Sequence, residues 1–205
     1  MAYQWDVFLS YRRFGEWPTW VNKHFLPLFT HYLGEEMGRD VDVFIDTGAI
    51  GSGSAWPLRL AEGLSQSRVL VCLWSRLYFS SPWCLAELSH MRAREEACGF
   101  CSLGQPGGLI VPIVLHDCAG EDVPSSLRHI QARDFKEVAN VRMAKGSVRE
   151  EQLADHVRNW VPDVKSAIIR APAFDQTWRT IAADRFLETL RQSATQNALP
   201  GLGAS

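Results

Sequence analysis

This sequence lacks most of what marks a membrane, secreted or nucleic-acid-binding protein. No apolar run approaches the roughly 20 residues that a bilayer-spanning helix requires, so no membrane segment is expected. The N-terminus, Met1-Ala2-Tyr3-Gln4-Trp5-Asp6, has neither a basic stretch nor a long apolar core, and no secretory leader is read there. No run of four or more basic residues occurs, and a net charge of −2 with a pI near 6.3 provides no electrostatic footprint for nucleic acid. Cysteine is sparse and odd in number. Of the five, Cys72 and Cys84 fall in stretches predicted to be buried, the pattern of free thiols in a reducing compartment rather than of a disulfide framework. A cytoplasmic protein is expected. Cys98-Gly99-Phe100-Cys101 has C-x-x-C spacing, but no second pair or suitably spaced histidine completes a zinc site. It also follows a helix instead of opening one after a strand, so it is read as a loop feature and not a redox motif.

What is present describes one ordinary globular domain: 205 residues, 46% hydrophobic and 21% charged. Trp5 to Tyr11 reads as a first strand. A polar loop follows, then a helix carrying Trp17, Trp20, Val21, Phe25, Leu28, Phe29 and Leu33 at three-to-four spacing, with Gly34 and Gly38 bracketing its end. Val41 to Asp46 is a second strand, leading to a loop with glycines at 48, 51 and 53. The order G-x-x-G-x-G is not the dinucleotide fingerprint, so the loop is read as long and mobile rather than as a phosphate cradle. A helix over Ala55 to Ser65 precedes a third strand, Arg68 to Trp74. Leu109 to Leu115 is a fourth strand, apolar throughout and so central, in which Pro112 is expected to mark a bulge. Ile130 to Phe135 is a short edge strand. A helix from Val148 is expected to break or kink at Pro162, and a last helix is expected over Phe174 to Gln192. Residues 1–170 are assigned to the domain, 171–193 to a helical extension and 194–205 to a flexible tail. Strands alternating with helices predict an α/β fold with a parallel sheet covered on both faces.

Ser80-Ser81-Pro82-Trp83-Cys84-Leu85-Ala86-Glu87-Leu88 is the most informative stretch. Ser81 suits an N-cap and Pro82 a first helical position, so a helix opens just beyond the third strand and runs to about Ala97. At about 100° per residue, Trp83, Glu87, His90 and Arg94 share one face, and Cys84, Leu85, Leu88 and Met91 lie on the opposite, core-facing side. Taken alone, the Trp83–Glu87 spacing favours a Trp covering the core edge beside a solvated Glu, since such pairs occur on any helix. Position shifts the balance. Ser10, Asp46, Ser75, Trp83 and Glu87 all fall at or just past the carboxyl ends of strands, where open parallel sheets bind ligands.

Several of these segments, in this order, resemble the Toll/interleukin-1 receptor (TIR) domain family over about Trp5 to Trp160. Asp6-Val7-Phe8-Leu9-Ser10-Tyr11-Arg12-Arg13 is similar to its first box, and Val43-Phe44-Ile45-Asp46 with the glycine-containing loop to its second strand and BB loop. Ser67 to Ser75 is similar to its third strand, and Ser80 to Leu88 to the stretch that carries the catalytic glutamate of enzymatic members. The resemblance implies a flavodoxin-like three-layer fold with a five-stranded parallel sheet. It further implies a reaction, cleavage of NAD⁺ at the nicotinamide–ribose bond, with NAD⁺ as substrate and no cofactor or metal. Glu87 would be the catalytic residue, with Trp83 walling the pocket and Ser10, Tyr11, Arg12, Asp46 and Ser75 at the substrate. Arg12 and Arg13 are read either as contacts to the diphosphate or a partner subunit, or as solvated loop arginines. The loop Thr47 to Gly53 departs from the family in carrying no charged residue.

A stand-alone domain of this length also resembles prokaryotic TIR proteins of antiphage defence, which implies a linear, cyclic or modified ADP-ribose product, activation by TIR–TIR self-association, and a separate effector or sensor protein as partner. Two other readings stay open on the sequence: a non-enzymatic adaptor that only self-associates, and another nucleoside-processing enzyme, such as a deoxyribosyltransferase, that uses a strand-end glutamate without NAD⁺. An adaptor has no need of Trp83 and Glu87 together.

Overall fold

In the computed structural model, residues 2–45, 56–118 and 122–178 are described, together with Glu188 and Arg191. Five strands form one wholly parallel sheet in the order β2-β1-β3-β4-β5: β1 Trp5–Tyr11, β2 Val43–Ile45, β3 Ser67–Trp74, β4 Ile110–Val114 and β5 Arg133–Asp134. Helices α1 Trp17–Trp20, α2 Leu26–Met37, α3 Trp56–Ser65, α4 Arg76–Phe79, α5 Pro82–Ala97 and α6 Val148–Arg170 surround it. α2 and α6 pack together on one face, where Phe25, Phe29, Phe135 and Trp160 form an aromatic cluster. α3 and α5 pack on the other. This is the three-layer α/β sandwich read from the sequence. β1 and β3 are buried along nearly their whole length, which is why they read as continuous apolar runs rather than alternating ones.

The chain leaves β1 toward β2 on one side and returns to β3 on the other. The order therefore reverses between β1 and β3, and their carboxyl ends open a crevice there. Ser10 pairs with Cys72 and Tyr11 with Leu73 at this point. α5 begins directly above, with Ser81 as N-cap accepting from the Cys84 amide at 3.4 Å.

Four expectations are corrected. The first helix is not continuous: a π-helical turn, Val21–Phe25, separates α1 from α2, with the Leu26 amide donating to Val21 five residues back. Pro27 follows at once and has no N–H for an ordinary helical bond, so the backbone widens where that bond is missing. Gly34 lies within α2, and Gly38 closes it at φ +67°. Second, Pro112 makes no bulge, since the β3–β4 register runs unbroken from Leu70–Ile110 to Trp74–Val114. Leu70 donates to Leu109 and Leu115 to Trp74, both at 2.9 Å, so odd residues of β4 address β3. Phe135 donates to Val114 at 2.9 Å, so even residues address β5. The missing N–H of Pro112 thus points toward β5, which pairs only from Ile113 onward. No ladder bond is lost. Third, α6 continues through Pro162 to Arg170. Fourth, the faces of α5 differ from the helical-phase reading. His90 and Arg94 are buried with Glu87, while Leu85, placed on the core-facing side, is only half buried, because α3 packs beside α5 on the same face of the sheet and residues 172–178 cover its far end. The Asp46–Ala55 loop, most of the Phe174–Gln192 helix and the 194–205 tail fall outside the described residues.

Candidate active site

At the crevice between β1 and β3, a cavity of about 80 Å³ is lined by Ser10, Tyr11, Arg12 and Arg13 from the end of β1, and by Ser81, Trp83, Cys84 and Glu87 from the start of α5. Glu87 is 7% exposed. It is the only acidic side chain among the described residues lining the cavity. A carboxylate taken so far out of water requires compensating donors. Ser10, buried at the end of β1, donates its hydroxyl proton to Glu87 Oε2. Ser10 Oγ also lies 2.8 Å from the hydroxyl of Tyr78, a fully buried residue of α4. Burial pushes the Tyr78 phenol and the Cys72 and Cys84 thiols well above their ordinary values, so all three are neutral at physiological pH and none is a thiolate nucleophile. Arg12 places positive charge within electrostatic reach of Cys84 on the cavity wall. The arrangement is one buried anion, an aromatic wall and two guanidinium groups at the rim, suited to a cationic or cation-forming ligand bearing an anionic tail.

Wider clefts of about 470 and 610 Å³ lie along β4, β5 and α6. Several of their charges are already paired, Arg133 with Asp163 at 3.1 Å and Lys136 with Asp117 and Asp134 at 3.1 and 3.3 Å. Size alone therefore does not locate the chemistry. No cluster of three or more His, Cys, Asp or Glu among the described residues is arranged to hold a metal ion.

A model of the TIR domain matches residues 7–145, a span holding the strand-end crevice and all of α5. The chain belongs to the TIR domain family. Similar solved structures include the TIR domain of the Toll-related receptor TRR-2 from the lower metazoan Hydra magnipapillata, at 20% identity and a TM-score of 0.43, covering 64% of this chain and 85% of that one. The TIR domains of the activated Roq1 resistosome, which directly recognizes the pathogen effector XopQ, are 18% identical with a TM-score of 0.38, covering 94% of this chain and 99% of theirs. No curated protein matches the sequence.

Of the residues the sequence singled out, this TIR domain brings Ser10, Tyr11, Arg12, Trp83 and Glu87 to one cavity, and Arg13 joins them. Ser75 is elsewhere: its hydroxyl accepts from the Tyr78 amide at 3.2 Å as the N-cap of α4, and it does not line the cavity. Asp46 lies outside the described residues. Sequence reasoning missed Tyr78, Ser81 and Cys84 as site neighbours. Ser81 and Cys84 were visible as cap and core positions of the same helix. Tyr78 carried no periodic signal, since it sits in a four-residue helix between strand and site.

Proposed function

We propose that this TIR domain cleaves NAD⁺ at the nicotinamide–ribose bond, with Glu87 as its catalytic residue. The observation that carries the reading is the burial of the Glu87 carboxylate at the sheet's switch point, held by Ser10. A module that only self-associates gains nothing from desolvating a carboxylate inside a cavity, and desolvation costs several kcal/mol or more unless donors compensate it, by roughly the water-to-apolar transfer scale.

The chemistry suits a single acid. Heterolysis of the C1′–N bond sends the electron pair to the pyridinium nitrogen, so nicotinamide leaves neutral and needs no proton. Ordinary glycosides leave as alkoxides and need a general acid. The ribosyl group is left as an oxocarbenium-like cation, and a preorganised carboxylate stabilises that developing charge. Water then adds to C1′ and releases a proton, giving ADP-ribose; an adenine ring nitrogen adding instead closes a cyclic product. Trp83 walls the sugar or the nicotinamide, and Arg12 and Arg13 meet the diphosphate at the rim. A cavity of about 80 Å³ takes only the reacting fragment, with the remainder of the dinucleotide lying toward the rim. The role proposed for it is cytoplasmic, antiphage signalling, with activity raised by self-association and the product read by a separate effector.

The test is chromatography of NAD⁺ incubated with the purified protein over a range of protein concentrations. Nicotinamide release is expected from the parent, with Glu87→Gln reducing kcat by about a hundredfold or more. A parent that releases none at any concentration, crowded or dilute, leaves the adaptor reading in its place.

A further inference from the structure

We propose that Tyr78 is a positioning residue for Glu87, acting through Ser10 in a buried chain of hydrogen bonds that runs Tyr78–Ser10–Glu87. The inference rests on the proposed role of Glu87 and extends it to a residue that does not touch the substrate cavity.

The direction of the chain follows from counting protons. An ionised carboxylate has none to give, so the Ser10 hydroxyl donates to Glu87 Oε2. A hydroxyl carries a single proton, so the contact of 2.8 Å between Ser10 Oγ and Tyr78 Oη is one in which Tyr78 donates. Burial holds the Tyr78 phenol in its protonated form, so the proton it donates to Ser10 stays in place. Every bond points toward the carboxylate. Each donor is polarised by the one behind it, which strengthens the Ser10 bond and restricts the serine to one rotamer.

A purely space-filling role explains neither the hydroxyl nor its partner. Tyr78 is fully buried, its ring packs edge-on against Phe79 at 5.4 Å, and phenylalanine would fill the same volume. The phenol spends its proton on Ser10, which in turn donates to Glu87. The groups around the carboxylate are Cys72 from β3, Tyr78 from α4, Cys84 from its own helix, and Arg12 and Arg13 from the end of β1. Glu95, farther along α5, acts on Cys72. Tyr78→Phe leaves all of these in place and removes one link.

The experiment uses the full chain and two readouts. In the first, the Glu87 side-chain carboxyl is followed by carbon-13 NMR through a pH titration, assigned by its loss in Glu87→Gln. Weakening a donor to the charged form raises a carboxyl's titration midpoint. The midpoint is expected to move up in Tyr78→Phe and farther in Ser10→Ala. An unchanged midpoint in Tyr78→Phe overturns the proposal. In the second, steady-state NAD⁺ cleavage by Tyr78→Phe is expected to show kcat about tenfold lower with KM within about twofold, as for loss of positioning rather than of binding, and the acid limb of its pH profile displaced upward. Unchanged kcat and pH profile in Tyr78→Phe also overturn it. A parent inactive on NAD⁺ defeats the proposed function and leaves the chain to be judged on the carboxyl titration. Should Tyr78→Phe fail to fold, an unchanged midpoint in Ser10→Ala overturns the proposal, since the chain acts through Ser10.

Discussion

His90 is buried at 3% exposure, one turn along α5 from Glu87, and neither ring nitrogen has a hydrogen-bond partner among the described residues. Burial lowers its pKa from 6.5 to about 4. Between those values the unfolded chain takes up a proton that the folded protein refuses, so stability falls as pH drops from about 6.5 to 4, by about 3 kcal/mol in all. Glu150 extends the decline below that range. Hydrogen bonds from His24 at 2.6 Å and from the Gly146 amide hold its carboxyl below 4.5, so its contribution is present above 4.5 and lost as pH falls through the lower, folded value. His90→Leu removes the first component and a pair of unsatisfied nitrogens. Urea unfolding at a series of pH values should show the variant more stable at pH 7 by about 1 kcal/mol, with a flattened slope between pH 6.5 and 4. An unaltered slope would assign that acid sensitivity to another group. The residue scale is where sequence reading was weakest: helical phase put His90 and Arg94 on the Glu87 face but could not say that α3 and residues 172–178 cover that face.

Among the elements, β2 depends on a glycine in its neighbouring helix. A β-carbon on Gly63 of α3 would lie 2.7–2.9 Å from the Phe44 ring. That ring stacks on Phe8 at 5.0 Å and meets Trp5 edge-on at 5.6 Å, so it has no easy retreat. Gly63→Ala gains up to about 1 kcal/mol of helix propensity. It loses about 1–3 kcal/mol to overpacking, and a net loss of stability is expected, measured by denaturant unfolding. The strands and the longer helices were legible, unlike the four-residue α4, since the strand cores and the Ser81-Pro82 start of α5 follow from local chemistry. The π-turn before Pro27 and the tolerance of Pro112 were not. Both depend on which backbone group a missing N–H would have met, and for Pro112 that is decided by how far a strand twenty residues away extends.

The whole molecule is closed at the amino ends of its strands by a strap from the far end of the chain. Tyr3 donates to Pro172 O at 2.9 Å, packs edge-on against Phe174 at 5.3 Å, and accepts from Arg94. Arg94 also donates to Ser67 O at 2.7 Å and lies over the rings of Tyr3 and Trp178 at 4.9 and 5.5 Å. Burial lowers its pKa to about 10, so it stays charged, stabilised by carbonyl and aromatic partners. Trp178→Ala should uncover this cation and cost about 3 kcal/mol in urea unfolding. A loss under about 1 kcal/mol, no more than a surface substitution brings, would show that the strap contributes little.

Apolar runs, capping residues and ordered motifs settle the strands, the start of α5, the TIR family and the candidacy of Glu87 with Trp83, because each depends on neighbours close in the chain. The strand order, the switch point between β1 and β3, the burial of Glu87 and its tie through Ser10 to Tyr78 were decided by tertiary packing. Those contacts join residues 68 and 77 positions apart, and no local preference encodes them.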